Sequence, residues 1–144
     1  MTMNIPEPDK KLLRGVIDMH LHSAPCLYDR PFDDIECALQ ARDAGYRALV
    51  LKSIWSPNGD RVELVRKVVP GIHLFGGMVL NHSVGGLNPH AMRAAVGLGA
   101  KVVWMPTVHA KNHIDYFGVP TYPWLAQRTP GLSLGSPPPL RVVD

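Results

Sequence analysis

Two histidines separated by one residue, His20-Leu21-His22, close the short apolar run Gly15-Val16-Ile17-Asp18-Met19. In an extended strand residues i and i+2 leave on the same face, so two imidazoles at a strand's C-terminal end can share one divalent ion. Such an ion lowers the pKa of bound water from about 15.7 toward 7 and polarises a carbonyl or phosphoryl group, which is the chemistry of metal-assisted hydrolysis. A half-exposed histidine pair without a ligand has the same spacing. The apolar strand before it, Asp18 within it and the break at Ser23-Ala24-Pro25 favour ligation. Asp18 shares the face of His20 at greater depth, a place from which a carboxylate orients an imidazole rather than taking a proton.

Other residues with chemistry stand where later strands should end. Lys52, Asn81 and His82 are candidate substrate contacts, and Trp55 a candidate pocket wall with Trp104. His109 is the best third imidazole for the metal. His113 follows four residues later, and Pro106 and Gly118 around the two favour a loop. Asp29 and Asp115 lie on loops with nothing to specify them, so no catalytic base is assigned.

For these side chains to meet, strands must end on one edge, and the alternation of short apolar runs with longer amphipathic ones supplies that order. Strands are expected at about 15–19, 47–52, 72–80 and 101–105, with three helices between them, as in repeated βα units around a parallel sheet. Asp33 with Glu36 and Asp60 with Glu63 have capping-box spacing, and Asn88-Pro89 sets a cap before a first-turn proline. The helices should bury Ile35, Ala38 and Leu39, then Val62, Val65, Val68 and Val69, then Met92, Ala95 and Val96. Right-handed crossovers then make a barrel or an open doubly wound sheet. No dinucleotide glycine fingerprint follows strand one, and Gly85-Gly86 reads as a turn before the cap at Asn88. Beyond His113 lie six of the 14 prolines, so residues 1–117 read as the domain and 118–144 as an irregular proline- and glycine-rich tail.

The 144 residues suit one domain, and a net charge of +3 without basic-aromatic clustering argues against nucleic acid. Two cysteines without C-x-x-C spacing and no secretory apolar region suggest reduced thiols in the cytoplasm. No apolar stretch approaches a membrane span.

The string Ile17-Asp18-Met19-His20-Leu21-His22-Ser23-Ala24-Pro25 resembles the opening of the amidohydrolase-like metal-dependent hydrolases, where H-x-H ends the first strand of a (β/α)8 barrel. Residues 44–52, 75–81, 84–89 and 99–107 extend the likeness to the N-terminal half of an uncharacterised bacterial family within that superfamily, over about 15–112. The resemblance implies an α/β fold, a partial TIM-type barrel of four strands and three helices. It also implies a divalent metal, Zn with Mn or Fe as alternatives, and a small amide, lactone or ester as substrate. In that family a histidine often follows the second-strand lysine, whereas this chain reads Lys52-Ser53-Ile54-Trp55.

A complete barrel needs about 250 residues, so the later-strand ligands are expected from a missing C-terminal half or from a second copy in a homo-oligomer. Two alternatives stay open. One is a phosphoesterase of the polymerase-and-histidinol-phosphatase type, whose D-x-H-x-H-S motif is shared but whose S-D-G continuation is replaced by Ala24-Pro25-Cys26. The other is a catalytically inactive half-barrel fragment.

Overall fold

A computed structural model describes residues 11–118. The chain runs β1 (Ile17–Leu21), α1 (Asp34–Asp43), β2 (Ala48–Leu51), α2 (Gly59–Val68), β3 (His73–Val79), a 3-10 turn (His82–Val84), α3 (Pro89–Gly97), β4 (Ala100–Trp104) and α4 (Lys111–Phe117). The four strands form one sheet in the order β1-β2-β3-β4, and each neighbouring pair is parallel. This is the expected α/β order. The expected tail, 118–144, lies outside the described residues apart from Gly118.

The strand register sorts the side chains onto two faces. Leu21, Leu49, Leu51 and Leu74 pack with Ala38, Ala41, Val62, Val65 and Val69 of the helical layer, while Met78, Leu80, Ala100 and Val103 pack with Ala91 and Ala95 of α3. On the other face Val79 and Trp104, paired across β3 and β4, join Tyr28, Ile54 and Val108 from the loops beyond the strand ends. Each fully buried aliphatic side chain contributes about 1.5–3 kcal/mol, so these three clusters hold the strand ends in place.

Helix starts only partly follow the sequence signals. Asp33 and Glu36 form the expected capping box, each side chain accepting from the other residue's backbone N–H at 2.8 and 2.9 Å. Asn88 accepts from the backbone N–H groups of His90 and Ala91, with Pro89 in the first turn. The second expected box is absent. Helix α2 starts at Gly59 behind Asn58, Asp60 accepts from the Arg61 N–H, and Glu63 pairs with Arg66. Close packing sets that start. A Cβ on Gly59 would meet the Leu98 carbonyl and the Ala100 nitrogen at 2.5 and 2.7 Å.

Three further expectations are corrected. Of the side chains expected in the helix cores, Ile35, Val68, Met92 and Val96 are exposed, because α1 and α3 meet the sheet mainly through the small residues Ala38, Ala41 and Ala95. The segment after His109 is helical: α4 carries a Lys111–Asp115 pair at 2.5 Å and stops at Gly118, whose φ of 72° lies in the left-handed region. Strand β1 begins two residues later than expected and contains a bulge, since Asp18 pairs with Leu49 and Leu21 with Leu51.

The outer edges of β1 and β4 have no strand partner among the described residues, and Ile17, Met19 and Met105 are exposed there.

Candidate metal site at the carboxyl ends of the strands

The bulge in β1 places one extra residue of that strand opposite β2 and so frees a backbone N–H from the ladder. Asp18 answers it: its Oδ1 accepts from the His20 N–H at 2.8 Å. The carboxylate therefore holds the His20 backbone, where the sequence suggested that it would orient the imidazole. His20 and His22 emerge with their Nε2 atoms 3.1 Å apart and their ring centroids 5.0 Å apart.

Lys52, one residue past β2, brings its Nζ to 3.4 Å from His20 Nε2 and 4.8 Å above the Trp104 ring. The lysine is only 4 % exposed. Trp104 also lies 6.2 Å from the His20 ring, although β1 and β4 are the two edges of the sheet. Three strand spacings would separate those edges by about 14 Å in a flat sheet, so the two rings reach over the middle strands toward each other. Gly77 makes the room, because a Cβ there would run into the Trp104 ring and the Val102 carbonyl.

Burial favours the neutral form of each of these bases. Burial pushes the His22 pKa down to about 4, helped by the charges of Arg30, His20 and Lys52, while the Lys52 backbone carbonyl pulls weakly the other way. His20 is lowered by burial and then by Lys52, with Asp18 opposing. Burial also lowers Lys52. No carboxylate forms a salt bridge with Lys52 among the described residues.

The loop after His22 is fastened from beneath. Asp34, 3 % exposed, accepts from the Ser23 hydroxyl and pairs with Arg61 of α2 at 2.5 Å. A guanidinium nitrogen of Arg61 also donates to the Pro25 carbonyl at 3.4 Å. This buried clasp ties the residues following the histidine pair to two helices. No motif marks it, and its only sequence signal is an acidic residue one place inside a helix start.

The remaining candidates occupy different places. The fully buried Asn81 donates to the Ile54 carbonyl and the Thr107 hydroxyl, each at 3.0 Å, and accepts from the Thr107 N–H at 3.0 Å. Its amide thus joins the end of β3 to the loops after β2 and β4. Trp55 packs on Tyr28 with centroids 5.4 Å apart. His109 does not complete the strand-one pair but stands against His82, with centroids 4.4 Å apart. Asn58, which no sequence motif marks either, donates to the Leu51 carbonyl at 3.0 Å and accepts from the Gly77 N–H at 2.7 Å. It anchors the strand on which Gly77 clears space for Trp104.

The strand-one pair fits part of a metal's ligand set. An ion about 2.0–2.1 Å from each nitrogen would see the two Nε2 atoms at about 100°, near the tetrahedral angle. Neutral imidazoles are the form that ligates. Beyond this pair, no set of three or more His, Cys, Asp or Glu side chains is arranged to hold a metal among the described residues. The expected trio of His20, His22 and His109 is therefore not assembled.

No helix among the described residues is long and apolar enough to cross a membrane. Neither a curated protein nor a solved structure matches the chain. Residues 15–143 match a family of unknown function, DUF6282, and the chain belongs to that family.

Proposed function

We propose that this chain is part of a cytoplasmic, divalent-metal-dependent hydrolase with an amidohydrolase-like, TIM-type barrel, acting on a small amide, lactone or ester. The observation that supports the reading most is the pair of neutral imidazoles whose Nε2 atoms lie 3.1 Å apart at the carboxyl end of a parallel strand. His20 and His22 would hold the ion, Zn²⁺ by preference for nitrogen ligands, with Mn²⁺ or Fe²⁺ as alternatives. When bound, that ion supplies an activated water and a polarised carbonyl.

The chain's own residues do the rest that is assigned. Lys52, clamped over Trp104, presents a cation beside the pair, where it would stabilise negative charge developing on the substrate. Trp104 walls this face of the pair. The Asp34–Arg61 clasp fixes the loop that follows His22. Further ligands and the general base would come from outside the described residues, through more chain or through a second copy meeting the open edges of β1 and β4.

A second reading has one observation in its favour. Lys52 and Arg30 both act on the His22 charge, and two cations near the pair suit a phosphomonoester. One experiment separates the readings: the Zn²⁺-reconstituted chain is offered amides, lactones, esters and phosphomonoesters, beside its His20→Ala/His22→Ala variant. Turnover of a carbonyl substrate that the double variant loses supports the first reading. Turnover of phosphomonoesters alone supports the second. Activity that survives in the variant contradicts both.

A further inference from the structure

A second pair of imidazoles stands apart from the strand-one site. His82 opens the 3-10 turn after β3, and His109 lies in the loop between β4 and α4. Their centroids are 4.4 Å apart with 36° between the ring planes. His109 is 7 % exposed. His82 Nε2 and His109 Nδ1 are each shut off from solvent with no hydrogen-bond partner. Leaving a buried polar atom unpaired is costly, and a bound ion or water is one of the ways native proteins satisfy it.

The two loops are built to hold the rings together. Asn81 precedes His82 and grips Thr107 from both ends of its amide, so the turn bearing one imidazole is bonded to the loop bearing the other. Gly85 and Gly86, both at positive φ, return the chain so that the Val84 and Gly86 N–H groups donate to the Asn81 carbonyl at 3.1 and 3.0 Å. The frame needs no ligand to form it.

We propose that His82 and His109 form a second metal-binding site, separate from His20 and His22, for a borderline divalent ion of the Zn²⁺ class. Imidazole nitrogen selects such ions over Mg²⁺ and Ca²⁺, which take oxygen ligands. Burial lowers the pKa of both rings, and His82 and His113 lower His109 further, to about 4, so the lone pairs are free near neutral pH. Neutral imidazoles offer an anion little attraction, which sets phosphate aside. Two protein ligands leave coordination positions open to water or substrate.

The test uses the full chain carrying His20→Ala/His22→Ala, which removes the first site. Zn²⁺ is titrated at neutral pH while long-range ¹H–¹⁵N spectra follow the imidazole nitrogens. One equivalent should shift ring nitrogens of both His82 and His109, Mg²⁺ should shift neither, and His109→Ala should abolish the response at His82. Equilibrium dialysis should find one Zn²⁺ per chain in the double variant and none once His82→Ala and His109→Ala are added. Silent rings, a His82 response that survives His109→Ala, or one ion retained by the fourfold variant would each overturn the proposal. The shift of both rings is read in the double variant with His82 and His109 intact, so the answer does not depend on whether the fourfold variant folds. The strand-one site can fail its own test without changing this result.

Discussion

Acid should destabilise the metal-free chain in a window set by two histidines. His22 and His109 each have a pKa of about 4 when folded, against 6.5 for a free imidazole. The folded state therefore binds fewer protons than the unfolded one below that value. Stability from this source is complete above about pH 6.5 and is lost as pH falls toward 4. At about 1.4 kcal/mol per pH unit for each group, the gap amounts to about 3 kcal/mol for the buried His109. His22 is partly solvated and contributes somewhat less. Together they remove about 5 kcal/mol, a large share of the 5–15 kcal/mol that holds a typical domain. His20 and His82 are lowered too and act in the same direction. Urea unfolding in the presence of a chelator, followed by circular dichroism at several pH values between about 7 and 4.5, reads the slope directly. His109→Gln should remove about half of it. Stability that stays level or rises as the pH falls through this window would refute the assignment of neutral, buried imidazoles.

Three other outcomes follow from the packing. Lys52→Met removes a desolvated cation that meets no carboxylate in a salt bridge among the described residues, and should stabilise the fold by about 1–2 kcal/mol in chemical denaturation. It should also tighten Zn²⁺ binding, because a positive charge 3.4 Å from His20 Nε2 opposes a second one there. Gly77→Ala drives a methyl group into Trp104 and should cost about 1–3 kcal/mol in the same assay, with altered tryptophan fluorescence as the ring leaves Lys52. Asn81→Ala strands the Thr107 N–H and the Ile54 carbonyl inside the protein, and should lower stability by about 2–4 kcal/mol. Unchanged melting of that variant would mean that the loops carrying His82 and His109 are held by something else.

The strand order was legible because hydrophobic periodicity and strong punctuation agree: Gly45, Pro70-Gly71 and Gly99 each stop a helix just before a strand. The capping box at Asp33 and the Asn88-Pro89 start were legible for the same reason, since each is a local interaction. What could not be read locally was decided by tertiary contact. Helix α2 starts where Gly59 can touch the backbone before β4, and that closeness overrides the Asp60–Glu63 signal. The bulge in β1 is a register fact between two strands and leaves no mark in one of them. Helix α4 is short and lacks a side-chain cap at Ala110, so its start carried no signal.

The candidate site divides along the same line. The juxtaposition of His20 and His22 follows from spacing alone, and they do meet. The approach of Lys52 and Trp104 depends on three strands and on the missing side chain of Gly77, which no motif encodes. The partnership of His109 with His82 depends on the Asn81–Thr107 bonds and replaced the expected trio.

Under the proposed function His20 and His22 hold one metal ion, and removing His82 and His109 leaves them as the remaining imidazole pair among the described residues. In full-length His82→Ala/His109→Ala, Zn²⁺ titration by calorimetry near neutral pH should find one ion per chain. That ion should be lost on adding His20→Ala/His22→Ala. No binding by the folded His82→Ala/His109→Ala chain, or binding that persists without His20 and His22, would mean that the strand-one pair is not a metal site.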